Sequence, residues 1–190
     1  NGLTGALPAP RHAVLSGFRA ADGELIDSGI VLYFPAPHSF TGEDVLDMKA
    51  TLSMQAGSPF VDVSLDLSKP VDRLAVGIVA HPDTELQMGD LDVTGEAWSY
   101  MASFGKQTLF EDNLGMVVLF RQKDMVEQTR DDNSYVLVMR PRGAQLSYAF
   151  GALWSGSENG IQTREDLEAY LARAVEQRTI APRVQLKTEL

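Results

Sequence analysis

His81, Tyr100 and Lys106 are the residue types that elimination from an acidic sugar requires. A base takes the proton beside the carboxylate, an acid protonates the departing oxygen, and a cation faces the carboxylate. His81 closes the apolar run Ala75-Val76-Gly77-Ile78-Val79-Ala80 and precedes Pro82, so its ring is expected where a strand leaves its sheet. Histidine is the side chain suited to moving protons near neutral pH. The competing reading makes His81 a half-buried side chain satisfied by the backbone. Trp98 and Trp154, with Tyr100 and Phe104, could form a platform for the apolar face of a pyranose, whose hydroxyls would seek Gln107 and Asp112. Aromatic residues of a β-protein also serve as core, and Asp112-Asn113 also reads as a turn.

Other chemistries find less support. Asp112, Asp131, Asp132 and Glu158 could supply the two carboxylates of a glycoside hydrolase, but an acidic chain carries such residues everywhere. His12, His38 and His81 lie far apart in sequence, so no metal site is expected from them. The chain has no P-loop, dinucleotide fingerprint, His-Glu-x-x-His helix or nucleophile elbow, and no cofactor is expected.

The elements that must position these residues are mainly strands. Between 46 and 54, Leu46, Met48, Ala50, Leu52 and Met54 alternate with polar residues, the period of a half-buried strand. Gln55-Ala56-Gly57-Ser58-Pro59 has turn chemistry, and Val61, Val63, Leu65 and Leu67 alternate again, which predicts a hairpin. The nearly continuous apolar runs 74–80, 116–120 and 135–139 predict strands covered on both faces. Further strands are expected over 12–19, 29–34 and 145–154, with turns at Ala21-Asp22-Gly23 and Pro141-Arg142-Gly143. The stretch 82–113 lacks clean periodicity and is expected to be a long functional loop beside His81. Thr163-Arg164-Glu165-Asp166 resembles a capping box. Leu167, Tyr170, Leu171, Ala174 and Val175 then recur at helical spacing, with Glu165, Glu168, Arg173 and Glu176 outside. The tail 178–190 reads as extended or disordered. The expected fold is an antiparallel β-sandwich with one C-terminal amphipathic helix, a single domain over 1–190.

Composition sets outer bounds. A chain of 190 residues with 44% hydrophobic and 22% charged residues can build a globular core. Its 26 acidic against 16 basic residues give a net charge of −10, with no clustered Lys/Arg, so nucleic acid is not an expected partner. An acidic glycan would need a local basic patch that reverses the field at short range. There is no cysteine and therefore no disulfide. No uninterrupted apolar stretch approaches the ~20 residues of a membrane helix, so no membrane association is expected. The chain begins at Asn1 rather than methionine, consistent with a removed leader or with a piece of something longer.

Several stretches occur in an order that resembles one family. They are Met54-Gln55-Ala56-Gly57-Ser58-Pro59-Phe60, Val76-Gly77-Ile78-Val79-Ala80-His81, Phe104-Gly105-Lys106-Gln107, Asp112-Asn113-Leu114-Gly115-Met116, Ala152-Leu153-Trp154 and Gly160-Ile161-Gln162-Thr163. Together they resemble domain-of-unknown-function family 4861, which accompanies pectin, ulvan and other uronate-polysaccharide degradation in bacteria. The likeness covers most of the span from His12 to Leu171. It implies a sandwich related to galactose-mutarotase and polysaccharide-lyase folds, exported to the periplasm or secreted. It also implies action on uronic-acid-containing oligosaccharides by elimination or dehydration, and a chain that is the later part of a longer protein. His81, Lys106, Gln107, Asp112 and Trp154 match recurrent family positions. A non-catalytic carbohydrate-binding module, a glycoside hydrolase and an assembly domain are the alternatives, and the oligomeric state is not fixed by the sequence.

Overall fold

The computed structural model describes residues 12–19, 25–34, 48–91, 96–158 and 160–180, the first two stretches as backbone strands alone. His38, the turn at 21–23, the start of the 46–54 strand and the tail 181–190 lie outside these residues. Strands β1 (His12–Arg19), β2 (Leu25–Phe34), β3 (Met48–Gln55) and β4 (Phe60–Leu67) pair successively as an antiparallel meander. After β5 (Leu74–Val79), β6 (Thr84–Met88), β7 (Trp98–Lys106) and β8 (Asn113–Arg121) form a second meander. One 3-10 turn, Gln122–Asp124, leads into β9 (Met125–Arg130), β10 (Ser134–Met139) and β11 (Gln145–Trp154). Helix α1 (Arg164–Thr179) follows.

The strands form two sheets. The larger has eight strands in the order β1-β2-β3-β4-β11-β8-β7-β6, and the smaller has three in the order β5-β10-β9. All pairings are antiparallel. β11 joins the two meanders, with Leu146 opposite Leu65 on β4 and Ala152 opposite Met116 on β8.

The large sheet is covered on both faces at its centre. Val118 and Phe120 of β8 pack with Ile78, Tyr135, Leu137 and Met139 of the small sheet. Their neighbours Val117 and Leu119 pack with Leu167 and Leu171 of α1. A strand with apolar side chains at every position suits this double burial, because successive residues point to opposite faces. The molecule is thus a mainly β, antiparallel sandwich with its one described α-helix laid on the outside of the larger sheet.

Three expectations change. Arg178 and Thr179 belong to α1 rather than to an extended tail. The stretch 82–113 is not one long loop, since it contains β6 and β7. β7 is sandwiched between the two cores, with Tyr100 and Ala102 in one, Met101 in the other and Ser99 and Ser103 also buried, so no alternation of polarity marks it. β5 is not covered on both faces. It forms an edge of the small sheet, with Ala75, Gly77 and Val79 exposed.

Candidate functional site

The β3–β4 hairpin turns at Gln55-Ala56-Gly57-Ser58-Pro59. Gly57 takes φ = +79°, a left-handed conformation that glycine adopts without steric cost. The Ser58 amide donates to the Gln55 carbonyl at 3.1 Å, and the Ser58 hydroxyl oxygen accepts from the Phe60 amide at 3.1 Å. The turn is therefore held locally. It stands beside one flank of α1, where Tyr170, Arg173, Ala174, Gln177 and Arg178 recur at the three- and four-residue spacing of one helical stripe.

Between turn and helix lies a hollow of about 600 Å³, lined by residues of the turn with Asp62, Tyr170, Arg173, Gln177 and Arg178. A second hollow of about 330 Å³ shares Gly57, Ser58, Pro59 and Tyr170 with the first and continues to Trp154, Ser157, Glu158 and Ile161. The two make one trough that bends around the hairpin turn. Tyr170 stands in the middle, its ring 6.2 Å from that of Phe60. At the far end Trp154 is 41% exposed, and its indole N–H donates to Asp112 Oδ2 at 3.4 Å. Gly160 lets the following segment close over the carbonyls of Trp154 and Ser155, because a Cβ there would collide with both.

The charge of the trough departs from that of the chain. Arg178 pairs with Asp62 at 2.5 Å, and its guanidinium lies 5.7 Å from the Phe60 ring and 5.2 Å from the Trp98 ring. These contacts make Arg178 part of the wall. Arg173 is exposed and makes no ion pair among the described residues. Two arginines against one aspartate leave this end of a −10 chain locally positive.

The seven residues singled out from the sequence separate into several environments. Trp154 lines the trough and Asp112 holds its indole. Trp98 is half-buried between the guanidinium groups of Arg121, at 5.4 Å, and Arg178. Gln107 is spent on the β7–β8 connection, its amide donating to the Leu114 carbonyl at 2.7 Å and to the Ser103 carbonyl at 3.3 Å. Tyr100 packs in the core beneath α1 and is 7% exposed, and burial raises its pKa, with Glu168 and Asp90 adding to the rise.

His81 sits in the turn between β5 and β6, half-exposed. Its carbonyl accepts from the Thr84 amide at 3.1 Å and the Thr84 hydroxyl at 2.7 Å, and its Nδ1 accepts from the Asp83 amide at 3.3 Å. Thr84 pairs with Gly105, which places His81 and the exposed Lys106 at the same end of the sheet. Tyr100 does not join them there, and His81 lines neither half of the trough. Among the described residues no group of three or more His, Asp or Glu side chains could hold a metal ion. No described helix is long and apolar enough to cross a membrane.

Tyr170, Arg173 and Arg178 were missed as site residues. Their stripe on α1 mixes apolar and cationic residues beside Gly57-Ser58-Pro59, but only the fold shows that helix and turn are neighbours.

The described residues thus form an antiparallel β-sandwich with a partly cationic trough beside its helix. Residues 29–184 match the family described as a domain of unknown function, DUF4861. The chain belongs to that family. Shorter similarities connect it to tRNA modification GTPases MnmE. It is 64% identical over 45 residues to that of Laribacter hongkongensis, covering 24% of this chain and 10% of that protein. It is 61% identical over 46 residues to that of Stutzerimonas stutzeri, 24% of this chain and 10% of the relative. For Dichelobacter nodosus the figures are 51% over 57 residues, 30% of this chain and 13% of the relative. The chain thus spans about a tenth of the length of these curated relatives. No solved structure matches.

Proposed function

We propose that this protein handles uronic-acid-containing oligosaccharides and that the trough around the β3–β4 turn is where it holds them. The observation that carries the reading is that exposed Trp154 in one hollow and Arg173, which makes no ion pair among the described residues, in the other flank the shared lining of Gly57, Ser58, Pro59 and Tyr170. An indole face takes the C–H face of a pyranose, and a guanidinium takes a carboxylate through two parallel hydrogen bonds. Ser58, Gln55 and Gln177 add hydroxyl and amide groups for sugar hydroxyls. The trough volume lies in the range of small-molecule sites. Action in the periplasm or after secretion suits such a ligand. The short likeness to MnmE does not favour a nucleotide reading, because the chain has no glycine-rich phosphate loop.

Calorimetric titration with oligosaccharides from pectin, ulvan and alginate tests the binding. Trp154→Ala should weaken binding of the preferred oligomer about tenfold, the scale of one lost stacking contact. Unchanged affinity would remove the trough from consideration.

A second reading, elimination or dehydration, draws on His81 and Lys106 sharing one strand end as base and cation. Incubation with the same oligomers would then generate the ultraviolet absorbance of an unsaturated uronate, and His81→Ala would abolish it. Binding without turnover leaves the binding-module reading in place.

A further inference from the structure

The two ends of the trough differ in charge. At the helix end Arg178 is committed to Asp62 and to two aromatic rings, while Arg173 on the same face of α1 has no ionic partner among the described residues. At the Trp154 end, Glu158 is the one charged residue of the hollow's described lining, and the Asp112 carboxylate stands on the Trp154 indole. Glu158 too makes no ion pair among the described residues, and Trp154, Leu153, Ile161 and Tyr170 are the large apolar and aromatic side chains of the remaining wall.

We propose that the trough reads the order of charges along a glycan: a carboxylate-bearing ring at Arg173 and an adjoining uncharged ring on Trp154, with Glu158 rejecting a second carboxylate. This rests on the carbohydrate reading above and adds a specificity to it. An arginine fork rewards the first carboxylate. A like charge set against the second acts by repulsion, which discriminates as strongly as attraction does. Tyr170, shared by both hollows, stands where the two rings join. The expected ligand is therefore a mixed acidic–neutral oligosaccharide rather than a homopolymer of uronic acid.

The test uses the full chain and four disaccharides of equal size in calorimetric titration. Two contain one hexuronate and one hexose, in either order, one is a dihexuronate and one is a neutral dihexose. One mixed disaccharide should bind about tenfold tighter than both the dihexuronate and the neutral sugar, the scale of one charge-assisted contact. Arg173→Met should lower that disaccharide to the neutral level, and Arg173→Lys should restore part of the difference. Glu158→Gln should bring the dihexuronate part of the way up to the mixed disaccharide, the Asp112 carboxylate beside Trp154 keeping the rest of the difference. All three substitutions fall on exposed positions, and unchanged thermal unfolding would verify the fold. Tightest binding of the dihexuronate by the unsubstituted chain, or an unaltered ranking in Arg173→Met, overturns the proposal while leaving carbohydrate binding intact. Binding of none of the four overturns the carbohydrate reading, and this specificity falls with it.

Discussion

The Tyr100 hydroxyl belongs to a side chain packed beneath α1, where burial raises its pKa above the ordinary 10.0 and Glu168 and Asp90 push the same way against Arg164. Burial raises Tyr148 in the same sense. A phenol that resists ionisation in the folded state contributes its full stability below the unfolded pKa. That contribution is lost as pH climbs from there through the folded value. Thermal unfolding should therefore move to lower temperature above about pH 10, and Tyr100→Phe should flatten the decline. Melting curves across that window check it, and equal slopes in both proteins would detach Tyr100 from the alkaline transition. Tyr100 also marks where residue types mislead. Its residue type suits a proton donor, while β7 places its ring in the helix-side core, which alternation could not reveal with Ser99 buried beside it. Trp154 was legible because it ends a strand next to turn residues, and strand ends meet solvent.

Helix α1 is held by its start and by one stripe. The Thr163 hydroxyl accepts from the Asp166 amide at 3.1 Å while the Asp166 carboxylate accepts from the Thr163 amide at 3.1 Å, so two otherwise orphaned donors are satisfied. Leu167 and Leu171 are wholly buried beneath it. Thr163→Ala should cost about 1 kcal/mol in chemical denaturation, the usual worth of an N-cap. A loss below a few tenths would mean that the buried leucines alone hold the helix. Both features could be read from Thr163-Arg164-Glu165-Asp166 and the spacing after it, and the β3–β4 hairpin likewise from its alternation around Gly57. β6 and β9 escaped notice because each has few buried positions to set a period. Arg173 escaped for a different reason: an exposed cation on a helix reads as solvated surface until the element facing it is known.

At the scale of the whole molecule, the small sheet ends in β5, whose outer edge pairs with no described strand and whose sequence Leu-Ala-Val-Gly-Ile-Val carries no charge. Such an edge offers a row of free backbone groups to another chain. Val79 is 52% exposed on it, and Val79→Lys should reduce self-association in concentrated solution without lowering the melting temperature. Light scattering against concentration decides this, and unchanged scattering would assign any self-association to another surface. The charge of the whole was as visible in the composition as its local reversal was hidden, since Arg173 and Arg178 meet the β3–β4 turn only after folding.

The β4–β11 seam gives the trough a mechanical meaning. Among the described strands, β1 to β4 connect to the rest of the sheet through that single ladder, and Phe60 and Gly151 meet at its upper end. The hairpin turn on one bank and α1 with Trp154 on the other belong to the two parts that the ladder stitches together. A glycan lying across would act as a cross-tie over the join, so occupancy and resistance of the two halves to being pulled apart should rise together.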